Sequence, residues 1–218
     1  MERKFEDLTI AGIQQVLGQG STEFDLHEGT VRIADRERRI YVTSETLYGI
    51  YKALSNETGD AWKIILKGCG ADWGNKVLER LDRELAARQQ KNMGEVTVTD
   101  FCGFVEQFFA YYGWGTMEVD LADAEYAGIV RCTLRNSLMA EAVKDVSGPV
   151  DFIVTGMLKA IFSRIANTEL DCVQVSCQRS ADGSVCEFLV SAPERIERIE
   201  NLAGQSSVDD AIAQLRAA

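Results

Sequence analysis

Two cysteines near the C-terminal end of the chain are placed where a pair of thiols can act together. Cys177 ends a predicted strand, and Cys186 lies at the start of the next one, beyond a turn at 180–183. With a turn of about four residues, the two cysteines lie opposite each other on one hairpin face, with Cβ atoms ~5 Å apart. Thiols so placed either bind a metal ion or pack as small hydrophobic side chains. The spacing alone leaves both interpretations open.

An apolar helix and the two hairpin strands must position these cysteines. Pro149 predicts the start of the helix, because proline is favoured at the first helical position. The apolar stripe of this helix consists of Val154, Leu158, Ile161, Phe162 and Ile165, with Gly156 inside it. Alternation along 171–177 predicts that Val173, Val175 and Cys177 share one strand face. The same alternation puts Cys172 on the opposite face.

An aromatic helix upstream is the candidate for binding a flat ligand. Asp100 predicts its start and Gly113 its end, and aromatic side chains surround it instead of forming one stripe. Trp114 is expected to converge on this helix. A planar ligand needs an apolar slot of this kind, and ordinary core packing is the alternative interpretation. The candidate ligand-binding residues are Trp73, Phe101, Cys102, Phe104, Val105, Phe108, Tyr112 and Phe152.

The remaining pattern predicts a mixture of helices and antiparallel strands. Helices are predicted over 5–17, 44–54, 56–74, 75–90 and 208–216, and strands over 31–33, 40–42, 117–121 and 126–133. The glycines in 68–71 lower helix stability, so we expect another backbone to pack closely against that turn. The arginine-rich cluster 36–39 falls in a predicted turn and is expected to be a solvated loop.

The composition excludes several classes of function. A net charge of −11 argues against binding a nucleic-acid backbone. The only histidine is His27, which falls in a predicted polar loop. This position argues against a histidine-based catalytic triad, and a single histidine excludes a multi-histidine metal site. The glycines at 68 and 70 lack the spacing of a dinucleotide-binding loop, so we expect no reductase chemistry and no enzyme.

Without a secretion signal or an apolar run of ~20 residues, we expect a cytoplasmic protein with no membrane span and reduced cysteines.

The C-terminal pattern resembles the 4-vinyl-reductase domain family. The residues that carry the resemblance are the glycine-bearing helix, the strand ending in Cys177, the turn at Gly183 and the sequence Cys186-Glu-Phe. The segment 53–74 (ALSNETGDAWKIILKGCGADWG) is similar to the glycine-ended helices of the family's N-terminal half. The resemblance covers roughly residues 30–190. It divides the chain into an N-terminal helix and loop (1–29), a ligand-binding domain (30–191) and a C-terminal helical tail (192–218).

The resemblance implies an α+β fold with helices packed on a twisted antiparallel sheet. This fold is related to the transport-particle (TRAPP) subunits of vesicle tethering and to bacterial aromatic-sensing regulators. Members of the family form homodimers that enclose an apolar ligand pocket. Stand-alone members are associated with chlorophyll or bacteriochlorophyll synthesis, which implies pigment-enzyme or photosystem partners and a location at the surface of photosynthetic membranes.

The resemblance also implies a candidate metal site. In the aromatic-sensing relatives, zinc is bound by a cysteine at the helix start, a glutamate and the two hairpin cysteines. The matching positions in this chain are Asp151, Gln174, Cys177 and Cys186. Asp151, Cys177 and Cys186 are therefore candidate zinc ligands, whereas glutamine rarely binds zinc. The alternative for Asp151 is a carboxylate that complements the helix dipole.

These observations lead to one expected function and two alternatives. The expected function is the non-enzymatic binding or chaperoning of an apolar tetrapyrrole, a chlorophyll-type pigment or precursor, in pigment synthesis or photosystem assembly. Cys102 is a candidate for covalent attachment of an open-chain tetrapyrrole, with a plain core cysteine as the alternative. The alternative functions are a scaffold or assembly module without a small ligand, and a vinyl reductase of chlorophyll synthesis.

Overall fold

The computed structural model describes residues 22–33, 37–89, 95–146, 148–178, 185–204 and 207–216. The predicted helix over 5–17 lies outside these residues. A small antiparallel sheet comes first, followed by three helices: β1 (Thr22–Asp25), β2 (Thr30–Ile33), β3 (Glu37–Arg39), α1 (Ser44–Thr58), α2 (Ala61–Gln89) and α3 (Val98–Tyr111). The second half contains β4 (Thr116–Asp120), α4 (Ala124–Ala127), β5 (Val130–Arg135), α5 (Leu138–Ala142), α6 (Phe152–Ala166), β6 (Asp171–Ser176), β7 (Cys186–Ser191), α7 (Pro193–Ile199) and α8 (Val208–Arg216).

The larger sheet has the antiparallel strand order β4-β5-β7-β6, and helices cover both of its faces. On one face, buried side chains of the strands join those of α2, α3 and α6 in the larger core. On the other face, α7 and α8 pack over a second core that includes Val173, Leu189 and Ile212. Helices packed on an antiparallel sheet confirm the predicted α+β fold class.

A β-bulge interrupts β6. Gln174 pairs with Phe188 in the regular part of the strand, but the register shifts before Ser176, which pairs with Glu187. Val175 is the additional residue at this shift. Because a bulge inserts one residue opposite a regular partner strand, the residues beyond it exchange faces relative to simple alternation.

The bulge places Cys177 on the face of the sheet that α2, α3 and α6 cover. Cys177 is buried in the same core as Cys172 and Cys186, whereas Val173 and Val175 face α7 and α8. The prediction that Cys177 shares a face with the two valines, opposite Cys172, is therefore wrong. The physical reason is the register shift, which a strict two-residue period cannot represent.

Helices α2 and α6 pack with their backbones in contact. A Cβ atom on Gly70 would lie 2.0 Å from the carbonyl oxygen of Ile153, and one on Gly156 would lie 1.9 Å from the carbonyl oxygen of Lys67. Neither separation is possible for real atoms, so both positions require glycine. The expected close backbone contact at residues 68–71 is confirmed.

The predicted break between helices at Gly74 is wrong, because α2 continues without interruption from Ala61 to Gln89. A Cβ atom on Gly74 would lie 3.1 Å from the Cβ of Ala160 in α6. Gly74 is therefore an interface residue within the helix and does not end it. Tertiary packing offsets the low helix propensity of glycine at this point.

Helix α1 begins at Ser44 as predicted, whereas α3 and α6 begin at different residues from those predicted. Thr43 and Thr97 are the N-caps of α1 and α3, and each accepts a backbone N–H from the third residue of its helix. Asp100, the predicted cap of α3, lies inside that helix. The helix predicted from Pro149 begins at Phe152, with Asp151 as its N-cap.

Two strands also differ from their predicted positions. The return strand of the first hairpin is β3, three residues before the predicted strand at 40–42. Residues 124–127 form a helical turn that ends at Gly128 (φ 61°), so β5 begins at Val130 and not at 126. The predictions for β4 and α8 are confirmed to within one residue, and Ser207 caps α8 by accepting the backbone N–H of Asp210.

No helix in the described parts of the chain has the length and apolar composition needed to cross a lipid bilayer.

The contact between α2 and α6 can be tested with one alanine substitution and a matched control. Gly156→Ala forces a methyl group against the carbonyl oxygen of Lys67 and should lower the free energy of unfolding by about 3 kcal/mol. Gly68→Ala, on the exposed side of α2 with no atom within 4 Å of its Cβ, should raise it by up to about 1 kcal/mol. Urea unfolding followed by circular dichroism measures both. Equal stability of the two variants would contradict the packing.

Candidate functional site

Asp151, Cys177 and Cys186 form a buried cluster at the start of α6. Their potential ligand atoms all lie within 4.8 Å of one another, and the two sulfur atoms are 4.0 Å apart. None of the three residues is more than 1% exposed. The structure thus brings together the three residues that the resemblance nominates as metal ligands.

Two side chains donate hydrogen bonds to the Asp151 carboxylate. The hydroxyl of Ser137 donates to Oδ1, and Nε2 of Gln174 donates to Oδ2 over 2.9 Å. Ser137 is itself fixed as the N-cap of α5, because its Oγ accepts the backbone N–H of Ala140 over 3.1 Å. Since a buried carboxylate is costly without hydrogen-bond donors, these contacts stabilise Asp151 in the interior.

Gln174 uses all four hydrogen-bonding positions of its amide group. Oε1 accepts the backbone N–H groups of Val150 at 3.0 Å and Asp151 at 2.9 Å. Nε2 donates to the Asp151 carboxylate and, over 3.1 Å, to the carbonyl oxygen of Ser176. An amide oxygen has two lone pairs and an amide nitrogen two hydrogens, so these four contacts leave no lone pair for a metal ion.

The Cys186 thiol is held in its protonated form. Its pKa is raised well above the usual value, first by the hydrogen bond with the Cys177 thiol and then by burial. The backbone N–H of Gln178, which donates to the Cys186 sulfur over 3.4 Å, acts in the opposite direction. Because a metal binds the thiolate, binding here would have to release this proton.

The cluster does not fit a closed zinc site. A tetrahedral zinc ion holds two thiolate sulfurs about 3.8 Å apart, so the 4.0 Å spacing of Cys177 and Cys186 is suitable. Such a site needs four protein ligands, however, and the residues that the structure describes supply three. The fourth position in the resemblance falls on Gln174, whose amide is committed to hydrogen bonds. The described cluster is a hydrogen-bonded anchor that joins α6 to β6, and zinc binding by Asp151, Cys177 and Cys186 stays a prediction.

A cleft of ≈ 660 Å³ opens between the segment 38–42, helix α2 and the C-terminal end of α3. Its aromatic lining residues are Tyr41, Trp73, Tyr111, Tyr112 and Trp114. The Trp73 ring lies 5.3 Å from that of Trp114 and 6.0 Å from that of Tyr112, measured between ring centroids. The volume is within the range of about 300–1,000 Å³ that is typical of small-molecule sites.

Arginines approach the same cleft from two elements. Arg39 of β3 and Arg80 of α2 each donate a hydrogen bond of 2.9 Å to the hydroxyl of Tyr112. The guanidinium of Arg39 also lies 4.6 Å from the centroid of the Tyr112 ring, in cation–π distance. Arg38 lines the cleft as well. The described part of cluster 36–39 is thus not the solvated turn that was predicted.

The candidate ligand-binding residues divide between the cleft and the core. Trp73 and Tyr112 line the cleft. The core contains the others: Phe101, Phe104, Val105 and Phe108 are no more than 2% exposed, Cys102 is buried, and Phe152 packs edge-on against Trp62. Their role in ligand binding stays a prediction, and the part of α3 that lines the cleft is its C-terminal end.

Arg39, Arg80 and Tyr111 line the cleft but are not among the ligand-binding residues predicted from the sequence. Arg39 lies in β3, the return strand of the first hairpin, where it pairs with Val31. Because this strand was predicted three residues later, at 40–42, Arg39 was assigned to the turn. Arg80 lies in the part of α2 that was assigned to a separate helix. A continuous helix would have shown that Trp73 and Arg80, seven residues apart, lie on the same face.

The proposed attachment site for an open-chain tetrapyrrole has an unreactive thiol. Burial, and secondarily the charge of Glu106, raise the pKa of Cys102 to about 11. A thiol with this pKa is about one-thousandth ionised at pH 8, and the thiolate is the nucleophile. Cys69 is the exposed cysteine among the six. The environment of Cys102 favours the core interpretation.

Comparisons with known proteins find similarity in structure but not in sequence. No protein-family model and no curated protein sequence matches the chain. The phenol-responsive sensory domain of the transcription activator PoxR, solved with phenol, aligns with a TM-score of 0.61 and 15% identity, over 97% of this chain and 98% of that domain. This likeness shows a shared fold.

Two other solved structures align more distantly, each with a TM-score of 0.45. One is a trafficking protein particle complex subunit 3 from Naegleria fowleri, covalently bound to palmitic acid, with 14% identity over 68% of this chain and 93% of that one. The other is a vinyl-4-reductase family protein from Methanocaldococcus jannaschii, with 15% identity over 87% of this chain and 98% of that one. The predicted kind of fold is confirmed, and the sensory-domain likeness is what establishes it.

The hydrogen-bonded state of the cluster can be tested by placing a carboxylate at position 174. Gln174→Glu puts a second buried acid beside Asp151, so without metal it should unfold at a lower temperature than the natural protein. Zinc should then raise its Tm by several degrees and bind at about one ion per chain, because the fourth ligand is present. Thermal unfolding and metal mass spectrometry measure both effects.

Its matched control is Gln174→Glu combined with Cys186→Ser, which should lose the zinc response. A full equivalent of zinc retained by the natural protein after chelator dialysis would contradict the hydrogen-bonded account.

Thiol reactivity tests the environment of Cys102. At pH 8, Ellman's reagent should rapidly label about one thiol per native chain, Cys69, and Cys69→Ser should abolish this fast phase. The rate of the slow phase should rise as the pH approaches 11, because the Cys102 thiolate becomes populated. Rapid labelling of Cys102 at pH 8, identified by peptide mass spectrometry, would disprove the burial argument.

Proposed function

We propose that this chain is a non-enzymatic binding domain for a planar aromatic ligand, which lies in the cleft between segment 38–42, α2 and α3. The observation that carries the proposal is the cleft itself, with the half-buried rings of Trp73, Tyr112 and Trp114 around an open volume of ≈ 660 Å³. Aromatic rings held at 5–6 Å from one another present faces on which a flat ligand stacks.

The rim of the cleft supports the same proposal. Ile40 and Tyr41 are 78% and 72% exposed, and Val42 is also exposed. These three consecutive apolar side chains lie in water beside the cleft, where a bound ligand would cover them. Burial of their surface would add about 25 cal/mol for each Å² removed from water.

We propose a chlorophyll-type tetrapyrrole or one of its precursors as the ligand. A macrocycle of this kind is flat, largely apolar and large enough to use several aromatic faces at once. The resemblance to the 4-vinyl-reductase family, whose stand-alone members are associated with pigment synthesis, supports this choice. The mechanism is sequestration: the rings shield one face of the macrocycle from water, and the protein transfers it to pigment enzymes or photosystem proteins.

The structural likeness to the phenol-responsive domain of PoxR supports a ligand-binding role by analogy. That domain was solved with phenol, a small aromatic molecule. In this chain, the side chains of α3 fill the interior, and the open volume lies at the helix end. We therefore place the ligand in the cleft and not inside the core.

A second candidate function is an assembly module without a small ligand. It is favoured by the filled interior around α3 and by Ile64 and Ile65 of α2, which are 75% and 37% exposed on the side of the helix that also bears Gly68. Such a surface suits contact with another protein or with a second copy of the chain, as in the expected homodimer.

Pigment binding can be measured by titrating the purified protein with chlorophyllide and recording absorbance. We expect a saturable red shift with one ligand per chain, and about tenfold weaker binding for Trp73→Leu, which loses stacking worth about 1.4 kcal/mol. Tyr126→Leu, an exposed aromatic residue outside the cleft, is the matched control and should bind normally. An unchanged spectrum of the natural protein would reject the proposal and favour the assembly module.

A further inference from the structure

We propose that the cleft selects ligands that carry a carboxylate, which Arg39 and Arg80 bind while the ring system stacks on the aromatic residues. The inference rests on the proposed function and specifies its ligand class. A tetrapyrrole with a free propionate side chain, such as chlorophyllide, fits this class, whereas an esterified pigment of the same size does not.

The first observation is the convergence of two guanidinium groups. Arg39 and Arg80 both donate to the Tyr112 hydroxyl over 2.9 Å, so the donating nitrogens lie no more than about 6 Å apart. The Tyr112 hydroxyl therefore marks a point that donors from β3 and from α2 both reach. A carboxylate has two oxygens and accepts from both guanidiniums, with charge-assisted hydrogen bonds.

The second observation is the distribution of charge. The chain carries a net charge of −11. The ionisable side chains among the described residues that line the cleft are nevertheless three arginines and three tyrosines. A concentration of positive charge in a concave surface of an acidic protein attracts and orients an anionic ligand.

The third observation is the combination of charge and aromatic faces in one place. Arg39 lies over the Tyr112 ring at 4.6 Å, and a stacked guanidinium donates hydrogen bonds through its edges. The indole rings of Trp73 and Trp114, 5.3 Å apart, line the same cleft. A ligand with a flat apolar body and an anionic substituent can contact both the aromatic rings and the arginines of the cleft. A purely apolar ligand can contact only the aromatic rings.

Binding of chlorophyllide and its methyl ester tests the inference, because the two molecules differ only in the charge of one side chain. Quenching of Trp73 and Trp114 fluorescence reports occupancy of the cleft. We expect the natural protein to bind the free acid at least tenfold more tightly than the ester. Added salt should weaken binding of the acid more than binding of the ester.

Arg80→Gln and Arg39→Gln should each reduce the preference for the acid at least threefold, with little effect on the ester. Arg216→Gln, an exposed arginine beside Tyr126 outside the cleft, is the matched control and should keep the full preference. Equal affinity of the natural protein for acid and ester overturns the inference and leaves the proposed function standing. Binding of neither molecule overturns both.

Discussion

Helices α2 and α6 touch backbone to backbone at Gly70 and Gly156, and this contact positions both candidate sites. The contact fixes the position of α2 against α6, and α2 carries Trp73 and Arg80, which line the cleft. On α6 it lies five residues after Asp151, which begins the helix within the buried cluster. Because neither glycine can accept a Cβ atom, the two helices have one register against each other. The close packing of protein interiors then transmits that register to the sheet.

The buried cluster combines a cysteine spacing that suits zinc with hydrogen bonds that occupy the neighbouring amide. The sulfur atoms of Cys177 and Cys186 have a spacing that suits zinc. The side-chain N–H of Gln174 donates to the Asp151 carboxylate, however, and the Gln174 side-chain oxygen accepts two backbone N–H groups. A hydrogen-bonded amide thus performs the structural task of joining α6 to β6 that a metal ion would otherwise perform. Charge and aromatic surface occur together at the cleft, which is where we propose that the ligand binds.

The resemblance to the 4-vinyl-reductase family implied the class of fold. The sequence itself predicted the aromatic helix and the opposed positions of the hairpin cysteines, because these depend on local periodicity and turn residues. It also predicted a close backbone contact near Gly70. It could not place Cys177 on its correct face, because the bulge before Ser176 is set by pairing with β7 and not by the composition of β6. It could not predict a continuous α2, because the packing of Gly74 against Ala160 is a contact between distant segments. The arginines of the cleft were missed for the same reason.

The central claim is that a planar ligand occupies the cleft at the end of α3, and the three tryptophans of the chain allow a direct measurement. Trp73 and Trp114 line the cleft, whereas Trp62 is 3% exposed and packs against Tyr51 and Phe152. In an amide-correlation NMR spectrum, each indole N–H gives one resonance. Addition of chlorophyllide should shift the resonances of Trp73 and Trp114 and leave that of Trp62 in place. A shift confined to Trp62, or no shift with excess ligand, would contradict the account.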